Sequence, residues 1–158
     1  MGEMREILFR GQVKDKDELI GKGFTIGGTV NPIIEWVYGV PIPRYPDLFL
    51  AWSEGNGEYE EITVIPETVG QYTGLTDKNG TRVFENDIVT VYYNPKYVGV
   101  SKDRVGNFAV VFHDGCFMKR KITNPMSGDA GLYHFIQSDE FEVIGNIYDN
   151  PELIESQL

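Results

Sequence analysis

Apolar and polar residues alternate along short stretches of this chain, and no stretch keeps the 3.6-residue period of an amphipathic helix for three turns. Short alternating stretches are typical of β-strands with one buried face. The strands predicted in this way cover residues 5–13, 23–30, 35–42, 47–53, 58–65, 82–84, 87–93, 107–113, 116–122 and 141–149. Because no strand alternates with a long helix, the pattern predicts a mainly β, mostly antiparallel fold with only short helical turns. Pro41 and Pro43 are expected to end the third strand, since proline has no N–H for a neighbouring strand.

The segment Ile65-Pro66-Glu67-Thr68 interrupts the strand pattern and predicts a boundary between two parts of the chain. A small N-terminal β module is predicted over residues 1–66, and a second β-rich region over 67–158. Thr68 to Thr73 is expected to form one helical or 3₁₀ turn. A further helical turn is expected in the acidic tail, with Pro151 at its first position.

Glycine, asparagine and aspartate separate the predicted strands. Asp-Gly between two apolar runs indicates a two-residue type I′ hairpin turn, and the segment DKNG at 77–80 suits a turn because its residues accept backbone hydrogen bonds or tolerate positive φ. A phosphate-binding loop is the alternative, but residues 70–74 lack the Lys-Ser/Thr pair and precede a strand rather than a helix. The residues assigned to turns, and not to ligand binding, are Asp77, Asn79, Gly80, Asn86, Asp87, Asp114 and Gly115.

Two segments of the chain resemble the hallmark segments of the YopX family of phage and prophage proteins. They are QYTGLTDKNGTRVFENDIV at 71–89 and EVIGNIYDNPEL at 142–153, and both REILFRG and EWVYG are similar to the opening of the family. The resemblance implies a β-rich fold whose C-terminal half is an SH3-like barrel, or roll, with residues 93–140 as a variable middle. Family members often have glycine where this chain has Asn86, and asparagine adopts positive φ less readily. The resemblance implies no activity, so no functional residue follows from it.

The charge of the chain is strongly negative, with a formal net charge of −10. Residues 47–67 and 139–158 each contain six acidic and no basic residues. This balance disfavours binding to nucleic acid backbones, which requires lysine and arginine to displace counterions. The acidic runs are interpreted as solubilising surface, with an acidic face for a basic partner as the alternative.

The single cysteine, Cys116, cannot form an internal disulfide, which fits a reducing compartment. No signal-peptide core and no stretch of membrane-spanning length is present, so a cytoplasmic location in the host cell is expected and no membrane partner. No cofactor is expected. A metal site is not expected either, because His113 and Cys116 are predicted to face each other across a hairpin and zinc needs further ligands.

A basic and aromatic strand face is the candidate for nucleic acid contact. Lys119 and Lys121 share one side of their predicted strand, and Phe112 and Phe117 are expected nearby, so the face offers phosphate contacts and stacking surfaces. The favoured interpretation is that these charges lie on an edge strand and block unwanted pairing.

The sequence as a whole favours a non-enzymatic binding module that self-associates and binds an unknown phage or host macromolecule. Self-association is expected from a surplus of aromatic residues on consecutive strands, namely Tyr92, Tyr93, Tyr97, Phe108 and Phe112. A nucleic-acid-associated accessory protein is the first alternative. An enzyme with a cleft between its modules, using Asp87 or His134, is the second.

Overall fold

The computed structural model describes residues 6–15, 17, 25–26, 29–30, 36–53, 59–93, 104–121, 130–131 and 139–155 of the chain. Strands dominate these residues, which confirms the predicted mainly β fold. The strands are β1 Phe9–Gln12, β2 Thr25–Ile26, β3 Thr29–Val30, β4 Trp36–Arg44, β5 Asp47–Ser53, β6 Tyr59–Val64, β7 Gly70–Thr76, β8 Arg82–Phe84, β9 Asp87–Tyr93, β10 Arg104–His113, β11 Cys116–Lys121, β12 Ala130–Gly131 and β13 Asp139–Asn146. A 3₁₀ helix at Pro66–Thr68 and an α-helix, α1, at Glu152–Glu155 complete the described elements. The chain groups into two compact units, residues 1–72 and 73–158.

The first unit is a curled antiparallel sheet in the order β6-β5-β4-β1, with the start of β7 beside β1. Val13, just after β1, bridges to Val64 in β6, and the flanking amides of Lys14 and Ile65 donate to Thr63 and Gln12 at 2.9 Å each. This second pairing brings the two ends of the four-stranded sheet together. The concave side is therefore closed around the buried residues Val13, Val37, Leu50, Ile62 and Val64.

Strand β4 continues through Pro41 and Pro43 to Arg44, so the prediction that these prolines end it is wrong. From Val40 onward the strand pairs with β5, whereas its pairing with β1 stops at Gly39. Proline is tolerated on a strand where its nitrogen faces no partner strand. The two prolines are two residues apart, so their nitrogens point to the same side and both fit the side away from β5.

The predicted helical turn at 68–73 is also displaced. A 3₁₀ helix covers Pro66–Thr68 instead, and Gly70 already belongs to β7. Proline suits the first turn of a helix. The Thr68 hydroxyl donates to the carbonyl of Ile65 at 2.7 Å and accepts the amide of Gln12 at 2.8 Å, which ties the turn to the end of β1.

The second unit contains a five-stranded antiparallel sheet in the order β12-β11-β10-β9-β13, with β10 at its centre. The end of β7 and β8 precede it, and the Thr73 hydroxyl donates to the carbonyl of Val83 at 2.9 Å. The core of this unit is formed by Val83, Val89, Val91, Phe108, Val110 and Phe141. The described strands of this unit do not close into a barrel, so the SH3-like architecture stays a prediction.

Strand β11 is not the edge of this sheet at Lys119. Strand β12 pairs with it at Met118 and Lys119, although the sequence pattern shows no strand at 130–131. The edge-blocking interpretation of Lys119 is therefore wrong, because its backbone already has a neighbour on each side.

Candidate functional site

The segment 77–81 forms a tight turn that the side chain of Asp77 organises. The amide of Asp77 donates to Thr81 at 2.9 Å, and Gly80, with φ +83°, donates to the carbonyl of Asp77 at 3.0 Å. One carboxylate oxygen, Oδ1 of Asp77, accepts the amides of Asn79 and Thr81 at 2.8 Å each. The turn is therefore closed from inside by a carboxylate, as expected for aspartate at this position.

The other face of the same turn is bound to strand β13. Oδ2 of Asp77 accepts the amide of Val143 at 3.0 Å, and the amide of Lys78 donates to the carbonyl of Phe141 at 3.2 Å. Lys78 Nζ lies 2.7 Å from the carboxylate of Glu142. The turn thus supplies hydrogen-bond partners to the side of β13 that faces away from β9, and it joins two segments 66 residues apart.

Asp77 is buried, with 7% of the residue exposed. Burial raises the pKa of Asp77, but the backbone hydrogen bonds from Val143, Thr81 and Asn79, with a smaller contribution from the Thr81 hydroxyl, outweigh burial and hold the pKa below its ordinary value of 3.8. A depressed pKa suits a structural acceptor rather than a group that donates protons near neutral pH.

The next turn, between β8 and β9, uses Asn86 and Asp87. Asn86 has φ +71°, its amide donates to Val110 at 2.8 Å, and its carbonyl accepts the amide of Ile147 at 3.0 Å. Oδ2 of Asp87, which is 1% exposed, accepts the amide of Phe84 at 2.7 Å. Both residues therefore bind backbone groups, and the asparagine adopts the conformation that glycine would adopt more readily.

The closing segment 145–153 is held by two asparagines. Oδ1 of Asn146 accepts the amides of Tyr148 and Asp149 at 2.9 and 3.0 Å, and its Nδ2 donates to the carboxylate of Asp149 at 2.8 Å. Oδ1 of Asn150 accepts the amide of Asn146 at 3.2 Å. The Asn150 side chain lies where a Cβ at residue 145 would be, so only glycine fits at this position.

The hairpin between β10 and β11 has the predicted turn residues in left-handed conformations, with φ +49° at Asp114 and +79° at Gly115. His113 and Cys116 form the cross-strand pair beside it, and Cys116 Sγ lies 3.5 Å from the carbonyl of His113. Among the residues that the structure describes, no three His, Cys, Asp or Glu side chains converge as a metal site requires.

Three of the four residues predicted for the basic and aromatic face lie on one side of the β10–β11 hairpin. Phe112 and Phe117 pair across the hairpin with ring centroids 5.1 Å apart, and Lys119 follows on the same side of β11. Lys119 Nζ lies 5.2 Å from the ring centroid of Phe108, a core residue, so it contacts the protein itself. The side chain of Lys121 lies outside the described residues.

The structure describes the side chains of three of the five aromatic residues predicted as a surplus in the second unit. Phe108 is buried, and Tyr92 is half-buried with Lys78 Nζ 4.7 Å from its ring centroid, which leaves Phe112 exposed at 52%. Tyr97, the side chain of Tyr93 and the whole of His134, the alternative catalytic residue, lie outside the described residues.

Sequence reasoning missed an apolar surface on the first unit. Tyr38 and Val40 on β4 are 47% and 56% exposed, on the side of the sheet opposite its core. The available signal was the uninterrupted apolar run WVYGV, which places apolar residues on both sides of one strand.

The acidic runs are partly neutralised. Asp47 lies 2.6 Å from Lys14 Nζ. The carboxylate of Glu61 accepts two hydrogen bonds from the guanidinium of Arg44, at 2.6 and 2.8 Å. The hydrogen bond to Asp47, followed by its charge, raises the pKa of Lys14. Glu142, in the second run, lies beside Lys78, so described residues of both runs take part in ion pairs.

The geometry defines a mainly β protein whose recurrent turn residues bind backbone groups. The profile of the YopX protein family matches residues 48–155, and the chain belongs to this family. It is similar to the solved protein EF1440 from Enterococcus faecalis, with 22% identity, a TM-score of 0.49, and coverage of 96% of this chain and 99% of that one. No curated protein matches the chain. No helix in the described part of the chain has the length and hydrophobicity needed to cross a bilayer.

Proposed function

We propose that this protein is a non-enzymatic, self-associating binding module, a phage or prophage accessory protein that acts on a phage or host macromolecule in the host cytoplasm. The proposal rests on the polar side chains of segments 71–89 and 142–153, which point toward backbone groups of the protein. Asp77, Asp87 and Asn146 are all buried and accept backbone amides. Residues used in this way position strands and loops, which is the task of a scaffold for binding surfaces.

The carboxylates support this proposal over the enzyme alternative. A general acid for neutral pH has a raised pKa and reaches a reacting group. Asp77 instead has a lowered pKa, and Asp87 directs an oxygen at the amide of Phe84. Neither arrangement favours proton transfer.

Self-association is the part of the proposal that is tested first. We expect size-exclusion chromatography with light scattering to give a mass above the 17.9 kDa of one chain, rising with concentration. The physical reason is the exposed apolar area at Tyr38 and Val40. A constant monomer mass up to about 100 μM, well above the Kd range of specific interfaces, would contradict the proposal.

A nucleic acid interface is the second candidate, because Phe112, Phe117 and Lys119 do share one side of the β10–β11 hairpin. If it were correct, a gel shift with single-stranded DNA would appear at low salt, weaken steeply as salt rises, and disappear in a Lys119→Ala, Lys121→Ala variant. Lys14→Ala, at an exposed lysine of the first unit, is the matched control. The main proposal predicts no shift in any of these proteins, given the net charge of −10.

A further inference from the structure

We propose that a second copy of this chain binds to the outer face of the sheet in the first unit. The inference rests on the proposed self-association and assigns it a surface. The outer face is the side of β1, β4, β5 and β6 opposite to the core, and the strand register defines its members. Val40 pairs with Ala51 and Ala51 with Glu61, while Ile42 pairs with Phe49 and Phe49 with Thr63. Its apolar residues are Trp36, Tyr38, Val40, Ile42, Phe49 and Tyr59, and Ala51 on the same side is buried.

The outer face is apolar over several adjoining strands. Tyr38, Val40 and Tyr59 are 47%, 56% and 75% exposed, and half-buried Ile42 and Phe49 lie beside them. Single exposed apolar side chains are ordinary on a soluble protein, whereas a contiguous group on one sheet face marks an interaction surface.

Aromatic rings on the same face are contacted by arginines. The guanidinium of Arg10 lies 4.8 Å from the ring centroid of Trp36, and that of Arg44 lies 5.4 Å from that of Phe49. Arginine and tyrosine side chains are both enriched in protein–protein interfaces.

The charges of the face select the partner. The described charged residues on it are Arg10, Lys14, Arg44, Asp47 and Glu61, three cations and two anions, a net of +1 in a chain of −10. Four of them form the pairs Lys14–Asp47 and Arg44–Glu61. Cations that already form ion pairs contribute little to binding a nucleic acid backbone. The face has no excess of acidic residues that would bind a basic partner. Because the face is nearly neutral while the whole chain carries −10, two copies can meet there with little repulsion at the contact, and a two-fold axis places the same patch on each side.

The size of the face fits a reversible dimer. β1 pairs with the first half of β4, and β5 and β6 follow its second half, so two to three strands about 4.8 Å apart lie along the roughly 30 Å of β4 and span about 400 Å². Stable interfaces cover about 800 Å² on each partner, so we expect a dissociation constant in the micromolar range.

The test is sedimentation velocity of the full chain across a concentration series, with Val40→Lys as the variant and Phe112→Ser as the matched control. Phe112 is 52% exposed, similar to Val40, but lies in the other unit. We expect Val40→Lys to weaken self-association about 30-fold or more, because an unpaired charge is placed in an apolar contact, while Phe112→Ser leaves it unchanged. Circular dichroism melts verify folding, and Tyr38→Ser replaces Val40→Lys if the lysine variant does not fold.

The outcomes separate the two proposals. A wild-type protein that stays monomeric overturns self-association itself. If the wild-type protein associates and the Val40→Lys variant associates with the same dissociation constant, only the assignment of the outer face is overturned. Raising the salt concentration from about 50 to 500 mM should strengthen or preserve the dimer, since it screens repulsion between two chains of −10 each. Marked weakening by salt would assign the contact to ion pairs and overturn the inference.

Discussion

Replacing Asp77 by alanine is expected to lower the free energy of unfolding by about 3 kcal/mol, since hydrogen bonds to a charged group contribute roughly 1.5–3 kcal/mol each. The variant loses the acceptor for the amides of Asn79, Thr81 and Val143. Water can replace part of the loss at the two exposed turn residues, but less readily at Val143, which is half-buried. Urea unfolding, followed by circular dichroism, measures the difference. Asp114→Asn is the control, a turn aspartate that is exposed, and it should change stability by less than about 0.5 kcal/mol.

The same carboxylate predicts a pH dependence of stability. The folded pKa of Asp77 lies below its ordinary value of 3.8. Its ionised form therefore stabilises the folded state fully above that value, and the contribution is lost as the pH falls through the lower, folded pKa. The stability difference between the wild-type protein and Asp77→Asn should be constant from pH 5 to 7 and shrink below pH 3.8. A difference that grows on acidification would contradict the assignment.

Replacing Gly145 by alanine is expected to cost about 3 kcal/mol or more, through strained backbone and overpacking together. Gly145 has φ +156° and lies at a register shift between β13 and β9. An added Cβ would collide with Oδ1 of Asn150, the atom that accepts the amide of Asn146. The variant must therefore distort either the strand or the loop that follows it. Thermal and urea unfolding measure the loss.

A second glycine provides a control for the backbone conformation alone. Gly106 has φ +142°, also lies at a register shift beside β9, and has open space around the position of a Cβ. Gly106→Ala should cost only about 1–2 kcal/mol, the usual cost of an unfavourable φ. In a double-mutant cycle, Asn150→Ala should remove part of the effect of Gly145→Ala. Equal costs at both glycines, or strict additivity with Asn150→Ala, would show that the contact with Asn150 has no role.

Turns were the part of this protein most accessible to sequence reasoning, because their signals are local. Asp114-Gly115 and Asn86 are recognisable because few residue types adopt positive φ, and the structure has positive φ at all three. The strands on either side of them follow from alternation. The helical turn after Asn150 follows in the same way from Pro151, and α1 begins at Glu152.

Contacts between distant residues could not be predicted in this way. Nothing near Asp77 indicates that its second oxygen binds Val143, 66 residues away. The local effect of Pro41 predicts the end of a strand, but the pairing of β4 with β1 stops at Gly39, so the proline has no neighbouring strand on that side. The turns in the two YopX segments are thus predictable from the sequence. The hydrogen bond that joins the two segments becomes visible only when the strand pairing is known.

Asp77, Asp87 and Asn146 bind backbone amides of their own chain rather than a ligand. Amide hydrogen exchange, measured by NMR on the wild-type protein and on Asp77→Ala, tests this claim most directly. We predict that the amides of Asn79, Thr81 and Val143 are protected in the wild-type protein and exchange much faster in the variant, while the amide of Leu50 in the first unit keeps its relative protection. Equal exchange of those three amides in both proteins would contradict the claim.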